Sequence, residues 1–435
     1  MRLSKRPIGV DLFSGAGGMS LGFEQAGFDV LASVEIDPVH CATHKFNFPY
    51  SKVICNDIAK VTAEEIRESS DIGDSEIAVV FGGLPCQGFS AIGKQDVDDP
   101  RNRLAQHFVK LVIDLEAKFF VIENVRGLTF KKNKQVLDNI INTFRGKGYE
   151  VLTHQILNAA RYGVPQNRER LFLLGCRKDL VLPEYPTATS YPLASSGELP
   201  NLRQNEVIAL PFCPNVIEAI GDLLILERYQ ELLKRDWIEA EYGDPSEYSS
   251  LLRSLKADDN DYSYKRRYDS NLLTSNLRPN HSKDSAERFA KVLPGTREAK
   301  SRFHKLHPQG ISPTLRAGTA RNHGSYTAAR PIHPSLPRCI TVREAARLHS
   351  YPDWFRFHVT NWHGLRQVGN SVPPLLAKAV ASEVMNKLEM QPKKPRKHYQ
   401  LENAELLKLS PDQAAEYFGA DRELVKPRSR KNKAV

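Results

Sequence analysis

Ile77 to Phe81 is an uninterrupted apolar run, and it leads straight into Gly82-Gly83-Leu84-Pro85-Cys86-Gln87-Gly88-Phe89-Ser90. Such a run, closed by glycines, has the character of a strand buried on both faces in a parallel sheet. In open α/β sheets ligands gather at the carboxyl ends of the strands, so Cys86 is predicted to sit in a tight loop at that edge. Glycines on both sides let backbone and ligand approach closely, and Pro85 stiffens the turn that aims the sulfur. A cysteine alone is more often an inert core residue than a nucleophile. The rest of the chain has to carry the argument.

Other apolar runs end in similar ways. Ile8 to Phe13 passes into Ser14-Gly15-Ala16-Gly17-Gly18 and an amphipathic helix from about Met19 to Ala26, a strand, turn and helix that could cradle a nucleotide. The spacing lacks the last glycine of the dinucleotide fingerprint. Leu31 to Val34 ends in Glu35-Ile36-Asp37, where a carboxylate can accept from ribose hydroxyls. Val53 to Cys55 leads to Asn56-Asp57-Ile58, an acid suited to an adenine amino group. Phe119 to Glu123 is a further buried strand, and Glu123 at its end faces the same crevice as Cys86, where partial burial favours general-acid use. Each acid taken singly is equally at home in a solvated loop or cap.

Helices are expected over Leu104 to Leu115 and Asn133 to Arg145, and strands over Tyr149 to Leu157 and Leu171 to Cys176. Between those strands lies Gln166-Asn167-Arg168-Glu169-Arg170. Alternate residues of an extended segment share a face, so Arg168 and Arg170 can point the same way, one toward a phosphate and one toward a base oxygen. From about Val181, prolines 183, 186 and 192 and the segment Ala194 to Pro200 read as a linker, and Ile217 to Lys234 reads as a helix. Tyr262 to Tyr268 interleaves tyrosines with Lys265, Arg266 and Arg267, a pattern suited to nucleic-acid contact, with Asn280-His281-Ser282-Lys283 adding polar contacts. Helical spacing returns from Arg338 to Phe357, and Gln367 to Pro374 opens a strong helix over Leu375 to Leu388. The stretch 391–435 holds eleven Lys/Arg against six Asp/Glu. It is expected to be a flexible basic tail interrupted by a short helix at Ser410-Pro411-Asp412-Gln413.

The chain's 435 residues suffice for two domains, and 41% hydrophobic with 26% charged residues is the composition of a soluble globular protein. A formal net charge of +10 favours a polyanionic partner, nucleic acid first. Six scattered cysteines without a C-x-x-C pair argue against a zinc site or a disulfide framework and for a reducing compartment. No membrane partner is expected, because no apolar run is long enough to span a bilayer.

Six or more of these motifs, in this order, resemble the cytosine-C5 DNA methyltransferases over about residues 8 to 180 and 338 to 388. The resemblance implies S-adenosylmethionine as cofactor, held by Phe13, Gly15, Gly17, Gly18, Glu35, Ile36, Asp57, Ile58, Pro85, Leu104 and the late Asn370, Ser371 and Val372. It implies Cys86 as the nucleophile, Glu123 as the donor at cytosine N3, Arg170 at O2 and Arg168 in support. No metal is implied. The implied fold is a Rossmann-like α/β methyltransferase with a mostly parallel seven-strand sheet and a smaller inserted target-recognition domain. Its expected organisation is catalytic and cofactor-binding at 1–180, recognition at 181–337, a return to the catalytic domain at 338–390, and the tail at 391–435. The expected partner is double-stranded DNA, with a cognate restriction endonuclease acting on the same site. A monomer in a bacterial cytoplasm, near the nucleoid, is the matching state.

Three rivals remain in view. A tRNA cytosine methyltransferase shares nearly every catalytic motif, although the Cys-Phe-Thr tripeptide associated with that group is absent and the long recognition region favours DNA. A silent DNA-binding homologue would be expected to lose the nucleophile or the cofactor motif. A nicotinamide oxidoreductase is disfavoured by the glycine spacing.

Overall fold

The computed structural model describes residues 6–85, 100–129, 134–198, 210–318 and 330–421. Cys86 and the loop after it lie outside the described residues. Five apolar runs form parallel strands: β1 (Ile8–Leu12), β2 (Asp29–Glu35), β3 (Lys52–Cys55), β4 (Ile77–Gly83) and β5 (Phe119–Asn124), in the order β3-β2-β1-β4-β5. Beyond β5 come β6 (Tyr149–Val151), β7 (Gln155–Asn158), a two-residue β8 (Gln166–Asn167) and β9 (Glu169–Arg177). β9 runs antiparallel beside β5, and β6 and β7 pair antiparallel with successive parts of β9. The single strand expected over Tyr149 to Leu157 is thus interrupted at 152–154, and counted as one it gives the seven strand positions expected.

β4 and β5 are apolar up to their carboxyl ends because both sheet faces are covered. On one face Phe108, Val109 and Val112 of α4 (Pro100–Asp114) and Leu137, Ile140 and Phe144 of α5 (Lys134–Gly146) pack on Val80, Phe120 and Leu173. On the other, Phe23 of α1 (Gly18–Gln25) and Leu376, Val380 and Val384 of α11 (Pro374–Lys387) pack on Val79, Phe81 and Val121. The expected return of the last strong helix is therefore observed. α1 and α11 touch so closely that a Cβ on Gly22 would lie 2.4 Å from the Ala377 methyl.

The inserted region is built from short pieces: α6 (Val216–Ile220), α7 (Glu247–Leu252), α8 (Lys283–Lys291) and two-residue strand pairs. The long helix expected over Ile217 to Lys234 does not form. After α6 the chain continues as 3-10 turns, Gly221–Arg228 and Gln230–Leu233. Tertiary donors take carbonyls that a continuing helix would use: Arg347 Nη1 donates to Ala219 O and Gly243 N to Asp222 O. α9 (Val342–Arg347) and α10 (Asn361–Asn370) lead back to the sheet, and an apolar cluster of Val216, Ile220, Tyr248, Val342 and Leu348 reaches Leu21 of α1.

Two expectations are corrected here. Within Tyr262 to Tyr268 only Lys265 and Arg267 are exposed bases: Arg266 and Glu24 form a fully buried pair at 2.8 Å, and Tyr264 Oη donates to Asp29. Burial decides this, since a guanidinium inside the protein needs acceptors close by, and here Glu24 supplies them. Neighbouring His281 and Ser282 likewise serve the fold, one accepting from Cys339 N and the other capping α8. The stretch 391–421 is not a loose tail either. His398–Gln400 pairs in parallel with Lys265–Arg267, and Leu406, Leu407, Ala414 and Ala415 are buried, the two leucines against Ala42 and Phe46 of α2 (Pro38–Asn47). The capping box at Ser410 starts α12 (Pro411–Tyr417) as expected.

Candidate active site

Because β1 to β5 are parallel, their carboxyl ends share one edge, and the glycines and acids singled out in the sequence come together there. Phe13 takes a left-handed φ of 65°, strained for an aromatic residue, and Gly15 and Gly17 follow with φ of 55° and 102°. The turn is tied to the end of β2: Gly15 N donates to Glu35 Oε2 at 2.8 Å, while Ile36 N and Asp37 N donate to Oε1. Oε1 is thereby filled, and Oε2 keeps a second lone pair for a hydroxyl. Ile36 stands 44% exposed beside it. Asp57 accepts from Ala59 N at the end of β3, Ile58 is buried in the core, and Phe13 and Leu104 are half-buried against that same core. A Cβ on Gly18 would lie 2.4 Å from Val372 O and 2.9 Å from the Ser371 side chain, so the segment from Asn370 to Val372 lies directly on the glycine turn. Behind it, Asp11 is buried, accepts from Ser20 Oγ at 2.6 Å, and has its carboxyl pushed up to about 8 by burial.

The other group of residues lies at the ends of β4 and β5. A Cβ on Gly82 would lie 1.8 Å from Leu12 O, so only glycine lets β4 leave the sheet this close to β1. Gly83, Leu84 and Pro85 then carry the chain past Glu123, whose Oε2 would meet a Cβ on Gly83 at 2.9 Å. Glu123 is buried, and Arg170 Nε lies 2.8 Å from its Oε1. Burial pushes the Glu123 carboxyl above its usual range, with Arg170 and then Arg168 pulling the other way. An open cavity of about 400 Å³ lies beside the pair, lined by Val125, Arg126, Asn167, Glu169, Arg170 and Thr314.

Arg168 departs from the sequence reading. The regular alternation breaks at this residue, between β8 and β9, and its side chain turns inward. The guanidinium is buried and donates to the carbonyls of Leu315, Gly369 and Ser371 at 2.7, 2.9 and 2.7 Å. It ties the glycine-turn segment to the inserted region.

A family model for the C-5 cytosine-specific DNA methylases matches residues 9–386. The chain belongs to this family. It has the activity of a DNA cytosine-5-methyltransferase. It is 50% identical to the type II methyltransferase M.XorII of Xanthomonas oryzae pv. oryzae over 98% of this chain and 95% of that protein. It is 33% identical to M1.HphI of Haemophilus parahaemolyticus over 86% of each. A crystal structure of a prophage-encoded Escherichia coli DNA modification methyltransferase superposes with a TM-score of 0.68 at 32% identity, over 88% of this chain and all of that one. The Dnmt2 methyltransferase of S. pombe, at 17% identity and a TM-score of 0.51, shares the fold.

The sequence reading of this methylase missed His349. Gln166 Nε2 donates to its Nδ1 at 2.9 Å, so the ring proton sits on Nε2, which donates to Ser371 O at 3.0 Å. Burial holds the ring neutral, well below the usual histidine range. Gln166 Oε1 also accepts from Leu315 N, so Gln166, Arg168 and His349 join three distant segments under the site. No local signal marks His349, because its partners are 183 and 22 residues away. Among the described residues no cluster of His, Cys, Asp or Glu could hold a metal ion, and no helix is long and apolar enough to cross a membrane.

Proposed function

We propose that this methylase transfers the methyl group of S-adenosylmethionine to C5 of a cytosine turned out of a specific duplex site, with Cys86 adding covalently to C6. The Glu123–Arg170 pair beside Pro85 carries the reading: a carboxyl that burial pushes above its usual range, held 2.8 Å from a guanidinium beside a cavity. C5 of cytosine is a poor nucleophile, and covalent addition at C6 overcomes this. The Cys86 thiolate forms the C6–S bond and drives ring electrons toward N3, where Glu123 donates a hydrogen bond or proton. Arg170 donates to O2. The resulting enamine carbon takes the methyl group. Loss of the C5 proton then restores the ring double bond and expels the thiolate. Turning the base out of the stack costs a few kcal/mol, which contacts around the cleft must offset.

The residues at the ends of β1, β2 and β3 fit the cofactor. Glu35 would hold the ribose hydroxyls and Asp57 the adenine amino group, with Ile36 against the ring. The exposure of Ile36 and the absence of any hydrogen-bond partner for buried Asp11 Oδ1 support this. When bound, S-adenosylmethionine supplies an electrophilic methyl group on a sulfonium. Phe13 to Gly18 would cradle it, Pro85 and Leu104 would flank it, and Asn370 to Val372 would close it. Arg168 becomes a positioning residue for that closure. Residues 181–337 would read base edges in the major groove, while 1–180 and 338–390 form the catalytic domain. The likeness to type II methyltransferases supports a role in restriction-modification, with a cognate endonuclease cutting the same site and a monomeric enzyme acting on DNA in the cytoplasm.

The test is methyl transfer from labelled S-adenosylmethionine to unmethylated duplex DNA, with Cys86→Ala as control and bisulfite sequencing of the product. Label on cytosine at one sequence, lost in the variant, is the expected result. Label on tRNA alone, or label that survives Cys86→Ala, would overturn the reading.

A further inference from the structure

Two ion pairs cross between the same two segments, the end of β5 and the start of β9. The inner one, Glu123–Arg170, has side chains only 10% and 12% exposed, whereas the outer one, Arg126–Glu169, is 61% and 43% exposed at 3.1 Å. Their polarity is opposite: the base of the outer pair follows β5 and its acid belongs to β9. Arg126 is placed by the local fold. Asn124 Oδ1 accepts from Val125 N, Leu128 N donates to Val125 O, and Arg126 opens the 3-10 turn Arg126–Thr129. Arg126, Glu169 and Arg170 all line the cavity beside the inner pair.

If the inner pair receives a cytosine, as proposed above, the sugar-phosphate of that nucleotide must pass the mouth of the cavity, where the outer pair lies. The geometry points to Arg126 as the residue that grips the phosphodiester of the turned-out nucleotide, and to Glu169 as the carboxylate that occupies it until DNA arrives. A solvent-exposed pair is weakly held and easily exchanged. The guanidinium fork matches a phosphate as well as a carboxylate, and a phosphate needs no other cation once Glu169 lets go. Glu169 thus competes with DNA for Arg126. This inference rests on the functional reading above and adds a substrate contact to it.

The two members of the pair should therefore act in opposite directions. Affinity is measured by fluorescence anisotropy on the duplex whose methylated site the bisulfite map identifies, over a range of salt concentrations. Arg126→Gln should weaken binding about tenfold and reduce the slope of log Kd against log salt by about 1. Glu169→Gln should tighten binding about twofold to fivefold. The double variant should match Arg126→Gln alone, since Glu169 acts only through Arg126. Unchanged affinity of each variant for S-adenosylmethionine confirms an intact fold. Weaker binding in both single variants would make the pair structural and overturn the inference. Tightening by Glu169→Gln that persists in the Arg126→Gln background would make the effect a general charge effect, and would overturn it too. Both results leave the functional reading standing, whereas a wild-type enzyme that binds and methylates no duplex overturns that reading and the inference with it.

Discussion

The sheet and the region where α9 meets the inserted segment bury their charges differently. Around the sheet the core is aliphatic and aromatic, its buried charges are single pairs at the edges, Glu24–Arg266 and Glu123–Arg170, and the buried Asp11 is kept close to neutral, its carboxyl raised to about 8. Around α9 the interior is stitched by ion pairs. Arg347 donates to Asp222 and Asp353, and Arg338 to Glu227 and Glu344. Arg343 donates to Thr274 and to the carbonyls of Pro352 and Phe355. Burial holds the sheet together without directional demands, so its strands tolerate small changes in shape. Short elements bury too little apolar surface to be fixed that way. The guanidinium forks instead set how α6, α7 and α9 sit against each other, at the cost of desolvating the charges.

The largest test of this contrast is Arg347→Met. It removes the cation from between Asp222 and Asp353, both buried, and should destabilise the protein by about 3–5 kcal/mol in urea unfolding, because Asp222 is left with Arg253 alone at 3.2 Å and Asp353 with Arg343 alone at 3.7 Å. A loss below about 1 kcal/mol would mean that the network does not hold the region.

Acid and alkali should separate the two halves. Glu344, beside Arg338, has its carboxyl lowered to about 2 from 4.5, so its contribution is present above 4.5 and is lost as pH falls toward 2. Asp11 keeps its proton up to about 8 in the fold but loses it near 3.8 when unfolded. Its contribution is complete below 3.8 and declines as pH rises toward 8, by at most about 1.4 kcal/mol per pH unit. Unfolding measured across pH should therefore lose its acid limb in Glu344→Gln and flatten between 3.8 and 8 in Asp11→Asn. A variant that leaves its own limb unchanged refutes the assignment for that residue.

The smallest effect is expected in the sheet itself. Ile122→Val, in the middle of β5, removes one buried methylene and should cost about 0.5–1.5 kcal/mol with methylation retained. A loss as large as that of Arg347→Met would show that the sheet is as brittle as the region around α9.

The catalytic half was readable because its signals are local. Apolar runs ending in glycine or acid mark parallel strands, and parallel strands bring their ends to one edge whatever the intervening helices do. Ile8, Leu31, Val53, Ile77 and Phe119 could be identified in this way, and with them Glu35, Asp57 and Glu123. The inserted region was misread where charge looked like surface. Arg266 among tyrosines has the pattern of a nucleic-acid face, yet it is sealed against Glu24, which lies 242 residues earlier. Ile217 to Lys234 has helical spacing, but Arg347 and Gly243 claim its carbonyls.

The sequence by itself determined the fold class, the strand ends and the types of residue gathered there, because hydrophobic period and glycine placement act over a few residues. The tertiary structure alone decided which arginine meets which acid. Arg168 and Arg170 are two residues apart and alike in sequence, yet one is folded under the glycine turn and the other is set against Glu123. A charge is directed by the partner it finds, and these partners are brought near only by the closed chain.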